Sequence, residues 1–169
     1  ELFALEAYST FYSDENDLKK TKSDQLERII TILPWIAIID KFQHWIYTNI
    51  GHSQAERKAA WISISNEFSS GEKNWEGLEE IAAYNWHRQL HIFEVPFYYI
   101  EYGIAQLGAL GMWKNFKENP KNAIENYKKA LALGYTKSIP EMYETAGVPF
   151  NFTSQHIGKL MQFIQQELL

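Results

Sequence analysis

Ile29-Ile30-Thr31-Ile32-Leu33-Pro34-Trp35-Ile36-Ala37-Ile38-Ile39-Asp40-Lys41-Phe42-Gln43-His44-Trp45 carries ten large apolar side chains in seventeen residues. At 100° per residue these ten cover almost the whole circumference of a helix, so the segment has hardly any polar face. A helix of that kind needs other helices around it. Pro34 removes one backbone hydrogen bond and crowds the preceding turn, which predicts a kink.

Working outward, apolar residues recur at helical spacing nearly throughout, and no alternating strand pattern competes. The periodicity predicts helices over about 2–13, 23–49, 53–68, 75–92, 95–116, 120–133, 138–145 and 153–168. Ser23, Ser53, Asn74, Ser138 and Thr153 are the expected N-caps. Gly51, Ser69-Ser70-Gly71, Asn119-Pro120, Gly134 and Gly147-Val148-Pro149 mark turns, and the polar stretches 13–25 and 66–76 are expected loops. Gly103, Ala105, Gly108, Ala109 and Gly111 make a small-residue face suited to close helix packing. The expected fold is an all-α multi-helix bundle, with residues 1–169 forming a single portion of one domain.

Composition narrows the function. With 46% hydrophobic and 15% aromatic residues the chain has enough apolar surface to offset the entropy of folding. A net charge of −5 disfavours nucleic acid and anionic membrane surfaces as partners. The absence of cysteine excludes disulfide and thiolate chemistry and points to the cytoplasm. The longest apolar run, 29–50, is interrupted by Pro34, Asp40, Lys41, Gln43 and His44, so no membrane span is expected. The chain enters helical periodicity at Glu1 with no Met and no cap, the expected signature of a cut inside a longer protein.

The chemistry concentrates in His87-Arg88-Gln89-Leu90-His91-Ile92-Phe93-Glu94-Val95-Pro96-Phe97-Tyr98-Tyr99-Ile100-Glu101-Tyr102-Gly103. Two histidines, two carboxylates and three tyrosines share this segment, and each buried hydroxyl or imidazole needs a polar partner. His87 and His91 stand four apart like a zinc-binding pair, but the position after His87 is Arg88 where a metallopeptidase helix places its general base. That pair is not the metallopeptidase motif, and the two rings are expected to serve different ends. On a helix Tyr102 neighbours both Tyr98 and Tyr99. Phenols beside an imidazole can donate to a developing oxyanion, though tyrosines that only fill a core have the same spacing. His44, in Phe42-Gln43-His44-Trp45-Ile46-Tyr47-Thr48-Asn49, is a second polar candidate that could equally be a packing residue. Residues 119–134 resemble one tetratricopeptide helix, but no 34-residue period repeats elsewhere.

Taken together, 42–49, Glu56-Arg57, Trp61, the run 88–110, and 131–150 resemble oligoendopeptidase F, within the thimet-oligopeptidase-like zinc metallopeptidases. The resemblance covers essentially the whole chain. It implies hydrolysis of internal bonds of short peptides in a deep helical channel. It also implies Zn2+ bound through an H-E-x-x-H helix and a glutamate on the next helix. This chain has no H-E-x-x-H, and Glu1-Leu2 resembles the end of the stretch bearing that glutamate. The expectation is therefore a carboxyl-terminal fragment, inactive alone, with no metal ligand of its own and Glu1 at most an outer-shell residue. Its partner would be the missing amino-terminal part of the same enzyme. The resemblance assigns His91, Tyr98 and Tyr102 to catalysis, facing the substrate carbonyl, with Tyr99 and His44 as secondary substrate contacts. Apolar surface on 23–49 left bare by truncation would favour self-association. The rival reading is a non-enzymatic helical module that binds a peptide or protein through its aromatic surface and the helix at 119–134.

Overall fold

The computed structural model describes residues 1–71 and 73–168. Among these the chain is all-α and has no strand. Its helices are α1 (Leu2–Leu5), α2 (Glu15–Thr48), α3 (Gln54–Glu67), α4 (Glu79–Tyr84), α5 (His91–Glu94), α6 (Ile100–Glu118), α7 (Pro120–Ala132), α8 (Ile139–Ala146) and α9 (Ser154–Leu168). They fall into two compact units, 1–30 with 104–169 and 31–103, and α2 and α6 each lend one part to each unit.

Several expected boundaries move. The stretch 13–25 is mostly helix, because α2 starts at Glu15 and not near Ser23. Asp14 Oδ1 accepts from the backbone N–H groups of Asn16 and Asp17, at 2.9 and 3.0 Å, and so does the capping. Helix α2 continues through Pro34. It is also not enclosed all round, since Ile30 and Ile32 are more than a third exposed. By length and composition α2 would reach across a membrane, contrary to the sequence reading. However, Leu26, Ile29, Ile36, Ile39 and Phe42 are all buried in protein, as in the core helix of a folded domain. Asn74 caps no helix; its side chain accepts from the N–H of Glu76 in a turn ahead of α4. Ser53 caps α3 as expected, in a reciprocal box with Glu56.

In the unit formed by 1–30 and 104–169, glycines allow close approach where the sequence placed a small-residue face. A Cβ at Gly108 would run into the Tyr143 phenol, whose hydroxyl donates to the Ile104 carbonyl at 2.7 Å. A Cβ at Gly111 would lie 2.6 Å from Val148 Cγ1. Trp113 packs edge-on to Phe163 and donates its indole N–H to Glu6. Lys117 bridges Glu6 and Glu167.

Helix α8 carries the clearest pH signature. Glu141 folds back to accept from the Ser138 N–H at 2.9 Å and from its hydroxyl at 2.8 Å, with Lys137 beside it. Those donors, the backbone N–H first, lower its pKa from 4.5 to about 2. A depressed carboxyl pKa stabilises the fold above 4.5, and the contribution is lost as the pH falls towards 2. Acid titration of unfolding should therefore show a slope in that window which Glu141→Gln removes. An unchanged slope would mean the cap does not persist in solution.

The unit 31–103 is built on Ile38, Ile39, Phe42, Trp61, Ile64, Trp86 and Ile92. Trp61, 1% exposed, is its keystone. Its ring meets Phe42 and Trp35 edge-on at 5.1 and 5.9 Å, and its N–H donates to the Ala82 carbonyl at 2.9 Å.

Candidate active site

The aromatic segment does not form the two helices, 75–92 and 95–116, that the periodicity predicts. Residues 85–88 form a 3-10 turn, Gln89 is extended (φ −95°, ψ 91°), α5 lasts four residues, and α6 begins only at Ile100. Consequently His87 and His91 do not share a face. His87 lies against Trp86 at 4.1 Å and Tyr84 at 5.1 Å, while His91 turns to the tyrosines. Tyr98 and Tyr99 sit in the loop ahead of α6. Turns from Glu101 N–H to the Tyr98 carbonyl and from Tyr102 N–H to the Tyr99 carbonyl bring Tyr102 over them.

The loop is held under strain. Phe97 has φ +60°, a left-handed conformation costly for a bulky residue. Two contacts retain it. Its N–H donates to Gln43 Oε1 at 3.3 Å, and its ring packs on His44 and Tyr47 at 4.9 and 5.1 Å. Gln43 is fully buried, with its Nε2 unpartnered among the described residues. Strain of this kind is tolerated where the fold over-determines a loop, and here it sets the position of the two tyrosines that follow.

His91 is the hub. Its ring centroid lies 4.9 Å from Tyr99, 5.6 Å from Tyr102 and 6.1 Å from Tyr98. The three phenols also touch one another, Tyr102 meeting Tyr98 at 5.7 Å and Tyr99 at 5.2 Å. Tyr98 and Tyr102 are nearly half exposed. Tyr99 is more enclosed, and burial pushes its phenol above the ordinary range. One ring nitrogen of His91, Nε2, lies 3.3 Å from Tyr102 Oη; the other, Nδ1, lies 2.6 Å from Gln89 Nε2. Gln89 Oε1 in turn accepts from the Trp35 indole at 3.0 Å. Arg88 stacks 5.0 Å above the Trp35 ring.

His91, Tyr98, Tyr99 and Tyr102 are thus gathered as the sequence reading grouped them. His44 meets Phe97 instead and bonds Nδ1 to the Asp40 carbonyl at 3.0 Å. Its Asp40 carboxyl is raised by burial, with His44 partly offsetting that. Glu1 is exposed and lines a cavity of about 440 Å³ in the unit formed by 1–30 and 104–169. Gln89, Trp35, Gln43 and Phe97 were not anticipated. Their only sequence signal was the polar Gln89 between Arg88 and Leu90, two residues before His91.

Among the described residues no group of three His, Cys, Asp or Glu side chains converges to hold a metal ion. The donor set at His91 is one imidazole and neutral phenols, suited to hydrogen bonding and not to gripping a divalent cation. The site therefore does not fit a zinc ion, and no chemical step here runs through one. What it can do is donate: preorganised phenol hydroxyls stabilise oxygen that gains negative charge.

An all-α fold that gathers three tyrosines around one histidine is the arrangement to set beside known proteins. Comparison with known proteins makes this specific. The model of peptidase family M3 matches residues 1–160, and the chain belongs to that family. It is 26% identical over 140 residues to an oligoendopeptidase F homolog of Borreliella burgdorferi, covering 80% of this chain and 23% of that protein. Among solved structures it is similar to PZ peptidase A with an inhibitor, at 30% identity and a TM-score of 0.81, covering 91% of this chain and 27% of that one. A protein described as an oligoendopeptidase F from Bacillus anthracis gives 28% identity and a TM-score of 0.68, covering 91% and 24%. The chain spans about a quarter of the length of these relatives.

Proposed function

We propose that this chain supplies the carbonyl-facing wall of a zinc metalloendopeptidase that cleaves internal bonds of short peptides in the cytoplasm. The observation that carries the reading is the ring of Tyr98, Tyr99 and Tyr102 around His91, in a chain of the M3 family. In this reading the Tyr102 hydroxyl donates to the scissile carbonyl oxygen as it gains charge. Tyr98 is positioned to donate to the same oxygen or the neighbouring peptide group. His91 supports Tyr102 from behind. The zinc ion that this reading implies has no ligand set among the described residues, and where bound it would supply Lewis-acid chemistry to the carbonyl and the attacking water. The chain by itself should then be hydrolytically silent. Assay with internally quenched short peptides, together with metal analysis, is the test: no turnover and substoichiometric zinc are expected. Robust hydrolysis with one zinc per chain would refute the division of labour.

The 440 Å³ cavity favours one other reading, a peptide- or protein-binding module without catalysis. It is mostly apolar and includes Tyr127 and Leu131 of α7, the helix singled out for that role in the sequence. Peptide binding weakened by Leu131→Glu, with Tyr102→Phe leaving the parent's turnover intact, would favour it.

A further inference from the structure

Two hydrogen-bonded groups behind His91, the Trp35 indole and the Gln89 amide, fix where its proton sits. The Trp35 indole N–H can only donate, so the Gln89 atom 3.0 Å from it must be the carbonyl oxygen. That settles the amide orientation, which heavy-atom positions alone leave open. Gln89 therefore presents its NH2 group to His91 Nδ1 at 2.6 Å. An amide NH2 can only donate, so Nδ1 must accept and carries no hydrogen. The neutral ring then has its proton on Nε2, pointing at Tyr102 Oη 3.3 Å away. Tyr102 accepts there, and its own hydroxyl hydrogen is released to point at another acceptor.

Trp35 is well placed to impose this order. Its ring is fixed between Arg88 at 5.0 Å on its face and Trp61 at 5.9 Å edge-on, on an element 54 residues from Gln89. The Tyr99 hydroxyl also lies near the same indole, but it can rotate to suit and imposes no direction on the amide.

We propose that Trp35 and Gln89 are positioning residues that hold the His91 proton on Nε2, so that Tyr102 donates outward to its ligand. The catalytic meaning of this rests on the reading above; the proton assignment does not.

The deciding experiment is ¹⁵N correlation spectroscopy of the histidine rings in this chain at about pH 9, where an ordinary imidazole of pKa about 6.5 is neutral. His91→Gln identifies the signal. The wild type should show Nε2–H. Gln89→Glu keeps the shape but replaces the NH2 with a carboxylate oxygen that can only accept, so His91 should switch to Nδ1–H. Trp35→Phe removes the orienting donor and should give a mixture, as should Gln89→Leu if it folds. Retention of Nε2–H in Gln89→Glu with unchanged helical circular dichroism would overturn the proposal. In the whole enzyme Gln89→Glu should lower kcat on the order of tenfold at constant KM and zinc content, because Tyr102 would now donate to His91. A tautomer switch with no kinetic effect would uphold the relay and count against the peptidase role of Tyr102, which keeps the two failures apart.

Discussion

Tyr102→Phe in the whole enzyme is expected to lower kcat by about 10²–10³-fold, the usual cost of removing one preorganised oxyanion donor. The substitution removes a single oxygen. The ring remains to pack at 5.7 Å on Tyr98 and 5.2 Å on Tyr99, so folding is barely affected. The lost interaction strengthens as charge develops on the substrate oxygen, and the effect should fall on kcat more than on KM. Zinc content should not change, because among the described residues no group of three metal-binding side chains forms around Tyr102. Turnover within twofold of wild type would remove Tyr102 from the mechanism and leave Tyr98 as the donor. The double variant with Tyr98→Phe then distinguishes shared from single donation.

Trp61→Ala should be the most damaging single change to stability, costing about 3–5 kcal/mol. The side chain is 1% exposed and central to the aromatic cluster of 31–103. Truncation leaves a cavity that Phe42 and Trp35 cannot fill without moving, and it removes the indole donor from the Ala82 carbonyl, which keeps only the Asn85 N–H. Against a typical net stability of about 5–15 kcal/mol, such a loss takes the unit close to unfolding at room temperature. Urea denaturation followed by tryptophan fluorescence should show a lower midpoint with little change in slope. A shift below 1 kcal/mol would mean the cluster is less tightly packed than its burial implies. The same variant should also mix the His91 tautomers, since Trp35 loses its edge contact and no longer fixes Gln89.

The candidate site was legible in part. A histidine followed by three closely spaced tyrosines gives a polar aromatic cluster whichever local conformation the segment takes. Its geometry was not legible, because Leu90 to Phe97 are apolar enough to imitate a helix. Pro96 has no N–H to continue one, and the extended Gln89 turns the chain ahead of α5. The surroundings of His44 were hidden for a related reason. Its helix was read correctly, but the ring that meets it belongs to a strained residue, Phe97, whose positive φ has no signature in a phenylalanine side chain. The early start of α2 at Glu15 was missed because charged residues on an exposed helix look like a loop.

Sequence alone determined the helical class, the helix caps at Ser53 and Ser138, and the close-packing glycines at 108 and 111. Each of these follows from interactions within a few residues or from the size of one side chain. Tertiary structure alone decided that Trp35 directs the Gln89 amide and that Gln43 holds the Phe97 loop. Both bonds join residues 54 positions apart, where local periodicity carries no information and only packing around Trp61 brings donor to acceptor.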